Sequence, residues 1–396
     1  MRLTTYAYPW DLARLGVRRS LLEMRDAGVE AVDVAASYHP IDAISPRDGA
    51  HLFTLPRGGV FVPARVERFG RIRPHLADPT SSAAWPTIVE EARSLGLGVN
   101  AWMVTMFQPW MVDAHPDVAR VLPSGDRVGQ VVCASNPDVR AYLATLAADI
   151  VDQFGVDVIR LEGISTAAFD YGWLRPRVQV PPTPLARELL SICFCAACRQ
   201  RGSDAGIDVE RVRGLVTDAI ATEMALDVDT ASPDEAAALV ADPELHDFVV
   251  EHERVVAEVA RTVRAAVAGP HAPRLSSSAV TPFRTLLGGS RVELVDAVAA
   301  ELDDVMISAQ ATDPGTTRLV ALATDPEPAV DLGMLLVPVA FNATATDSTP
   351  KDMATLEAEI AAAHAVGIDE ISIYTWGLLG ADRFRAIVDA VRRPAA

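Results

Sequence analysis

Residues 154–163 read Phe-Gly-Val-Asp-Val-Ile-Arg-Leu-Glu-Gly, a glycine followed by an apolar run that ends in a carboxylate. Glycine just past a helix ends that helix without a Cβ penalty, and the apolar run after it is typical of a buried parallel strand. The same pattern recurs at Ala27-Gly28, at Gly96 and at Val366-Gly367, each time before a β-branched or aliphatic run. The repetition indicates the α/β class, with helices alternating with parallel strands.

Eight runs of this kind are predicted as strands: Leu3–Ala7, Ala31–Ala36, Gly98–Val104, Val156–Leu161, Arg274–Ser278, Asp304–Ser308, Leu335–Ala340 and Glu370–Tyr374. Eight strands separated by helices is the number that a (β/α)8 TIM barrel requires. A doubly wound sheet is the alternative, but no glycine-rich dinucleotide turn follows any of these strands. We therefore predict the barrel.

Two connections are too long for ordinary loops between a strand and a helix. We predict excursions over residues 37–85, after strand 2, and 163–273, after strand 4, from a single barrel over residues 1–396. The length alone would also suit two domains. Both excursions leave the carboxyl ends of strands, where barrel enzymes carry their active sites, so we expect them to wall a cleft.

Composition and charge exclude several classes of protein. The 396 residues are 50% hydrophobic, which argues against disorder, and their net charge is −18. That charge argues against nucleic acid and against an anionic membrane surface as partners, whereas a neutral or cationic small substrate remains open. No basic stretch precedes an apolar run at the N-terminus and no long uncharged apolar run occurs, so we predict a cytoplasmic location. The oligomeric state stays open, a homo-oligomer included.

Three of the four cysteines are closely spaced. Cys193, Cys195 and Cys198 form Cys-x-Cys-x-x-Cys, and Cys133 stands in the loop after strand 3. Disulfides are disfavoured in the cytoplasm, whereas four thiolates can bind one tetrahedral metal ion. We predict a Zn²⁺ ion bound by all four cysteines, which would be structural because no ligand position is left for water. Free, partly buried thiols are the alternative.

The cysteine pattern resembles that of the zinc-carrying β-galactosidases, family 42 of the glycoside hydrolases. In that family a cysteine after strand 3 joins a Cys-x-Cys-x-x-Cys after strand 4, shortly beyond the strand-4 catalytic glutamate. Residues 193–199, together with Tyr38-His39 and Pro46-Arg47, also resemble uncharacterised glycosidase-like barrels. The resemblance covers the central third of the chain and implies a glycoside hydrolase that acts on a small glycoside or oligosaccharide.

Glu162, at the end of strand 4, is the residue that matches the family's general acid/base. An acid that protonates a leaving glycosidic oxygen must hold its proton near neutral pH, and a partly apolar pocket achieves this by raising the pKa. An ion pair with a neighbouring arginine, such as Arg160 or one from the excursion after strand 2, is the alternative for this glutamate. The chain departs from the family at Leu161, where many relatives place Asn.

A second carboxylate is missing from the place where a retaining mechanism needs it, the end of strand 7. Asn342 takes that position in the predicted strand. Asp347, five residues later, and Asp313, after strand 6, are the candidates for the partner of Glu162. An inverting enzyme tolerates carboxylates about 6.5–9.5 Å apart, so a loop aspartate would serve as its base.

Aromatic and polar side chains gather at the predicted strand ends, although only 6% of the chain is aromatic. Flat rings suit the C–H faces of sugars, while Gln, His and Asn hydrogen-bond hydroxyl groups. By the resemblance, Trp376 after strand 8 would form an aromatic floor under the sugar. The other candidates for sugar binding are Tyr6, Tyr38, His39, Trp102, Gln108, Trp110, Gln310, Asn342 and Tyr374. For His39, a role in the core or behind the site is an equal alternative.

Two other functions stay open. A lyase or isomerase on the same barrel would abstract a proton from a sugar, with Glu162 or His39 as the base. A non-catalytic carbohydrate-binding barrel would also agree with the missing strand-7 carboxylate.

Overall fold

The computed structural model describes residues 1–164, 182–226, 233–278, 300–309, 331–341, 348–365 and 367–393. The strands of these ranges are β1 (Arg2–Ala7), β2 (Ala31–Tyr38), β3 (Ile41–Ser45), β4 (His51–Leu55), β5 (Gly59–Val60), β6 (Gly98–Val104), β7 (Ala119–Val121), β8 (Arg127–Val132), β9 (Val158–Glu162), β10 (Arg274–Ser278), β11 (Asp304–Ala309), β12 (Asp331–Leu336), β13 (Val339–Phe341), β14 (Ser348–Pro350) and β15 (Glu370–Ile373).

The helices of the same ranges are α1 (Pro9–Leu15), α2 (Val17–Ala27), α3 (Pro79–Ser94), α4 (Pro109–Ala114), α5 (Pro137–Phe154), α6 (Pro184–Leu190), α7 (Ala196–Asp204), α8 (Val209–Met224), α9 (Pro233–Val240), α10 (Pro243–Ala266), α11 (Met353–Ala365) and α12 (Ala381–Arg392). Short 3-10 helices span Val66–Arg68, Pro116–Val118 and Trp376–Leu378. Across the described ranges, no helix combines the length and the apolar character that a membrane crossing demands.

Eight parallel strands close into a barrel. Their order around the ring is β1, β2, β6, β9, β10, β11, β12 and β15, and β15 pairs with β1 to complete it. Glu162, the last residue of β9, lies opposite Val104 of β6 and Ser278 of β10. The predicted (β/α)8 barrel is therefore confirmed, and the open doubly wound sheet is excluded.

The seventh barrel strand lies earlier in the chain than the predicted range Leu335–Ala340. β12 spans Asp331–Leu336 and pairs with β11 and β15. Pro338 cannot donate a ladder hydrogen bond, and after it β13 pairs with β14 in an antiparallel hairpin. The barrel strand thus ends at Leu336, and the expectation that Asn342 stands at its end is wrong.

The segment after β2 forms a hairpin that is fastened to the strand ends. β3 and β4 pair from Ile41 opposite Leu55 to Ser45 opposite His51, and β5 pairs antiparallel with β2. Arg47, in the turn of the hairpin, donates from Nε to the carbonyl oxygen of Trp376 at 2.8 Å. Its guanidinium lies 4.2 Å from the centroid of the Trp376 ring, a cation–π contact that holds the hairpin against the barrel.

A second, smaller hydrophobic core is formed mainly by the segment between β9 and β10, with Cys133 joining it from the loop after β8. It is built by α6, α7, α8 and α10, with Leu185, Phe194, Val212 and Phe248 among its buried side chains. All four cysteines belong to it. The backbone N–H of Phe194 donates to the carbonyl of Val121 in β7 at 2.8 Å, so this core is tied to the β7–β8 hairpin.

A charged layer fills the barrel interior below Glu162. Side chains alternate along a strand, so Arg160 and Glu162 of β9 point to the same side. The fully buried guanidinium of Arg160 pairs with Asp33 at 2.7 Å, Glu370 at 2.6 Å and Asp304 at 3.4 Å. Arg160 is therefore committed to this layer and does not pair with Glu162, and among the described residues no arginine forms an ion pair with this glutamate.

Replacing Arg160 with Met is expected to lower the free energy of unfolding by about 3–5 kcal/mol, because it leaves buried carboxylates without their cation. Urea unfolding at constant m-value measures the change. The matched control is Arg18→Met, which breaks an exposed pair with Glu91 and should cost about 1 kcal/mol or less. Equal losses for the two variants would contradict this view of the layer.

Candidate active site

Glu162 stands at the carboxyl rim of the barrel with part of its side chain exposed. The indole Nε1–H of Trp102 donates to its Oε2 at 2.6 Å. Thr105 fixes its backbone, because the amide and the hydroxyl of Thr105 both donate to the carbonyl oxygen of Glu162, at 2.9 and 2.7 Å. Burial raises the pKa of Glu162 to about 7, against a lowering by the Trp102 hydrogen bond. Near neutral pH this carboxyl can therefore give or take a proton.

The rings of Trp102, Tyr6, Tyr38 and Tyr374 form an aromatic floor next to the glutamate. The buried ring of Trp102 meets Tyr6 edge-on at 4.6 Å and Tyr38 at 4.8 Å between centroids, and Tyr374 at 5.6 Å. Of these four rings, only that of Tyr374 belongs to a partly exposed residue. Tyr374 and Glu162 are thus the partly exposed residues of this group.

Three phenol groups converge at this floor, two from its own rings and one from Tyr8. The hydroxyl oxygens of Tyr38 and Tyr374 lie 2.6 Å apart, and that of Tyr8 lies 3.0 Å from Tyr38 and 3.2 Å from Tyr374. We call Tyr8, Tyr38 and Tyr374 the phenol cluster. Burial is the main cause that raises the pKa of each of these hydroxyls above its ordinary value, so all three remain protonated and act as hydrogen-bond donors.

The rim of the mouth is also aromatic on the side of β1, β2 and β6. The half-buried ring of His39 stacks on Tyr38 at 4.1 Å and faces Phe107 at 5.0 Å, while its Nδ1 lies 2.6 Å from the carbonyl oxygen of Pro40. Phe53 of the β3–β4 hairpin stacks on Trp10 at 4.3 Å. The hairpin therefore extends the aromatic floor outward.

Gln108 and Trp110 lie in the core. Gln108 donates from Nε2 to the carbonyl of Val104 at 2.6 Å, and its Oε1 accepts from Trp110 Nε1 at 2.6 Å. Both side chains are buried. These hydrogen bonds engage both ends of the Gln108 amide, so the structure places the two residues in the core, and the expectation that they bind sugar stays a prediction.

The structure places Trp376 outside the aromatic cluster around Trp102, and its expected role as a floor under the sugar stays a prediction. β15 ends at Ile373 and the chain then turns into the 3-10 helix that contains Trp376, so this ring leaves the barrel interior. Only 1% of the residue is exposed, and Arg47 covers its ring. Tyr374 is the strand-8 aromatic residue at the mouth instead.

Four sequence candidates lie outside the described residues. They are the two proposed partners of Glu162, Asp347 and Asp313, and the two polar sugar ligands Gln310 and Asn342. Sequence reasoning also missed two residues of the site, Thr105 and Phe53. The position of Thr105 directly after Val104, the last residue of a predicted strand, was a usable signal, whereas Phe53 lies in a hairpin far from any predicted strand end.

The four cysteines form one compact cluster. Their sulfur atoms all lie within 4.8 Å of one another, and Cys133 Sγ is 3.4 Å from Cys198 Sγ. That separation far exceeds the roughly 2.0 Å of a disulfide, so the thiols are not bridged. A tetrahedron with Zn–S bonds of about 2.3 Å has S–S edges of about 3.8 Å, which this spacing matches. The buried, all-sulfur donor set therefore fits a zinc ion.

The pKa values of the four thiols are shifted in different directions. The other three thiols hold the pKa of Cys133 well below its ordinary value. Burial raises the pKa of Cys193, while the bonds to Cys133 are the main cause that raises the pKa of Cys195 and Cys198. A bound dication would supply the positive charge that thiols with a raised pKa need in order to ionise.

Comparison with known proteins places the fold. No protein-family model matches the chain, and no curated protein sequence does. The structure is similar to α-L-fucosidase isoenzyme 2 from Paenibacillus thiaminolyticus, with a TM-score of 0.62, 11% identity, and 99% of this chain and 49% of that chain covered. It is similar to the β-amylase catalytic domain from Paenibacillus polymyxa, with a TM-score of 0.56, 9% identity, and 98% of each chain covered.

A GH42 β-galactosidase from G. stearothermophilus is also similar, with a TM-score of 0.52, 11% identity, and 95% of this chain and 51% of that chain covered. The chain thus spans about half the length of the fucosidase and of the galactosidase. At these identities the similarity concerns the backbone fold. The comparisons establish that the chain has the eight-stranded parallel barrel that these glycoside hydrolases share.

Proposed function

We propose that this protein is a glycoside hydrolase for a small glycoside or oligosaccharide, with Glu162 as the general acid/base. The observation that carries the proposal is the setting of Glu162. It is a carboxyl at the carboxyl end of a barrel strand, partly exposed among aromatic rings, with a pKa of about 7. Barrel enzymes use this face for catalysis, and glycoside cleavage needs an acid that is protonated near neutral pH.

The geometry suggests how the proton would be delivered. Trp102 donates to Oε2 of Glu162, which leaves Oε1 to carry the proton toward the mouth. The protonated carboxyl would donate to the glycosidic oxygen as its bond to the anomeric carbon breaks, and the resulting carboxylate would then take a proton from water. For the second carboxylate we retain Asp347 and Asp313 as candidates, without a preference between retention and inversion.

The residues that would contact the sugar are those at the exposed part of the mouth. Tyr374 supplies a phenol donor, and His39 supplies a ring that already stacks on Tyr38. Tyr6 and Trp102 would support them from below. Gln310 and Asn342 remain candidates for hydroxyl recognition.

We also propose that the cysteine cluster binds one structural zinc ion. Such an ion would lock the β7–β8 hairpin and the loop before α7 together, since Cys133 and Cys193 come from these two segments. Four neighbouring thiols that remain unbridged suit a reducing compartment, which supports the proposed cytoplasmic location.

Hydrolysis of phenyl glycosides is expected to decline above about pH 7. The acid form of Glu162 is required because phenolate is a poor leaving group, and that form is lost as the pH rises through its pKa. The measurement is kcat/KM against pH for a panel of phenyl glycosides of neutral sugars, of which any turned-over member suffices. Hydrolysis of no member of the panel, or a rate that keeps rising above pH 7, would count against the proposal.

Replacing Trp102 with Phe is expected to move the decline of kcat/KM on the alkaline side of the pH profile, its alkaline limb, to higher pH. The indole hydrogen bond lowers the pKa of Glu162, so its removal leaves burial to raise the pKa further. The matched control is Trp85→Phe, in a buried ring that packs against Phe154 away from the site, and its limb should stay in place. A limb that moves to lower pH in the Trp102 variant would contradict the assigned role of the hydrogen bond.

A further inference from the structure

The phenol cluster has more donor capacity than glycoside cleavage by Glu162 requires. Its members follow or end three adjacent barrel strands, since Tyr374 follows β15, Tyr8 follows β1 and Tyr38 ends β2. Their hydroxyls lie within 2.6–3.2 Å of one another. Three hydroxyl hydrogens serve three contacts, so each phenol can donate to the next around a closed ring.

A ligand oxygen at Tyr374 would open this ring without leaving a phenol unpaired. Tyr374 is the partly exposed member, and it can turn its hydrogen to the ligand. Tyr38 and Tyr8 can then both donate to the Tyr374 oxygen, at 2.6 and 3.2 Å. Donors arranged in such a chain polarise one another, so the exposed hydroxyl becomes a stronger donor to an oxygen that gains negative charge.

A carboxyl group that can act as a base, that of Glu162, lies next to the same aromatic rings. Trp102 connects Glu162 with the phenol cluster. Its Nε1–H donates to Glu162 at 2.6 Å, and the centroid of its ring lies 4.8 Å from that of Tyr38 and 5.6 Å from that of Tyr374. Within the described ranges, burial is the largest cause that raises the pKa values of Tyr6, Tyr38 and Tyr374, and the charge of Glu162 raises them further, so these phenols lie near the carboxyl.

The strands on both sides of β9 add no charge at this level. β6 presents Val104 and the indole of Trp102, and β10 presents Ser278. In its ionised form Glu162 is therefore a half-buried carboxylate that accepts the indole hydrogen bond of Trp102 and faces no cation on β6 or β10. Burial raises the strength of such a carboxylate as a base.

We propose that the mouth of this barrel has a second activity, the abstraction of a proton from carbon in an uncharged carbonyl compound of sugar size, with Glu162 as the base and Tyr374 as the donor to the oxygen that gains charge. The carboxylate takes the hydrogen from the carbon next to the carbonyl, and the C–H electron pair forms a carbon–carbon double bond. The carbonyl π pair moves to oxygen, which accepts the hydrogen bond of Tyr374. When the carbon next to the carbonyl carries a hydroxyl group, the hydroxyl proton passes to the charged oxygen, the abstracted proton returns to the former carbonyl carbon, and the carbonyl group forms at the neighbouring carbon, so the isomerisation needs no other reactant.

The probe for this activity is 5-nitrobenzisoxazole, a flat uncharged ring that needs no sugar recognition. Glu162 would take its C3 hydrogen as a proton, the C–H pair would form the nitrile, and the N–O bond would break with its electron pair on the phenolate oxygen. The released nitrophenolate is coloured. The base must be ionised, so the rate should rise with pH and level off above about pH 7, opposite to the limb expected for phenyl glycosides.

Four proteins are compared: the wild type, Glu162→Gln, Tyr374→Phe, and Tyr142→Phe as the control. Glu162→Gln should lose at least about 10²-fold in kcat/KM, and Tyr374→Phe about tenfold, mainly in kcat because the bond strengthens as charge develops. Tyr142 lies on α5 and packs against Phe69 and Trp110, so its variant should keep the wild-type rate.

Three results would overturn the inference: no wild-type rate above that of Glu162→Gln, an unchanged rate in Tyr374→Phe, or an equal loss in Tyr142→Phe. The proposed hydrolase function is tested separately. If the protein catalyses the elimination but hydrolyses no phenyl glycoside, the proposed hydrolase function is wrong and the proton abstraction stands. If it hydrolyses phenyl glycosides but does not catalyse the elimination, the proton abstraction is wrong and the hydrolase function stands.

Discussion

Replacing Glu162 with Gln is expected to slow hydrolysis of phenyl glycosides by about 10²–10⁴-fold, the range that a positioned general acid contributes. The amide oxygen of Gln can still accept the Trp102 hydrogen bond that Oε2 accepts in the wild type, so the fold should be kept. The loss should be smaller for 4-nitrophenyl glycosides, because nitrophenolate leaves without being protonated. Steady-state kinetics with the two series of substrates measures both effects.

The matched control for this variant is Glu67→Gln, in the 3-10 helix Val66–Arg68, where the glutamate is exposed. Its kinetics should equal those of the wild type. Equal losses in the phenyl and nitrophenyl series for Glu162→Gln would remove the acid role. An unchanged rate in both series would remove Glu162 from the chemistry.

Replacing Cys195 with Ser is expected to abolish stoichiometric metal binding and to lower the free energy of unfolding by more than about 3 kcal/mol. Structural zinc sites contribute about 10–16 kcal/mol of binding free energy, and the loss of one thiolate forfeits part of it. Elemental analysis of protein purified without added metal should give one zinc per chain for the wild type. Thermal unfolding with and without a chelator measures the stability change.

The control for the cysteine variant is Ala196→Ser, which adds a hydroxyl at the neighbouring exposed position and should change neither zinc content nor stability. Four thiols that react freely with a thiol reagent in the native protein, together with no bound zinc, would contradict the metal site. The cysteines would then act as packed thiols of the second core.

The barrel could be predicted from the sequence because four of its strands, β2, β6, β9 and β15, are marked twice, by glycine after a helix and by a buried apolar run. Gly28 and Gly155 both adopt left-handed backbone at helix ends, as the pattern predicts. β12 is the exception. Its apolar residues run on through Val337 to Pro338, and only the pairing with β11 and β15 shows where the strand stops.

The candidate site was partly predictable. Glu162 could be found because a charged residue that ends a buried strand needs a partner or a task. That Tyr374 rather than Trp376 lies at the mouth could not be predicted. The two residues are only two positions apart, and the 3-10 helix that begins at Trp376 places its ring against Arg47. For Gln108, the decisive partner is Trp110, and a sequence does not disclose which polar group a side chain will bind.

The protonation of Glu162 is the central claim, and a titration of its carboxyl carbon tests it without a substrate. With ¹³C placed only in glutamate side-chain carboxyls, NMR spectra of the wild type and of Glu162→Gln identify the signal by its loss. We expect this signal to titrate at a pKa of about 7. A titration near the ordinary glutamate pKa of about 4.3 would show that Glu162 does not hold its proton near neutral pH, and would overturn its proposed role as the acid.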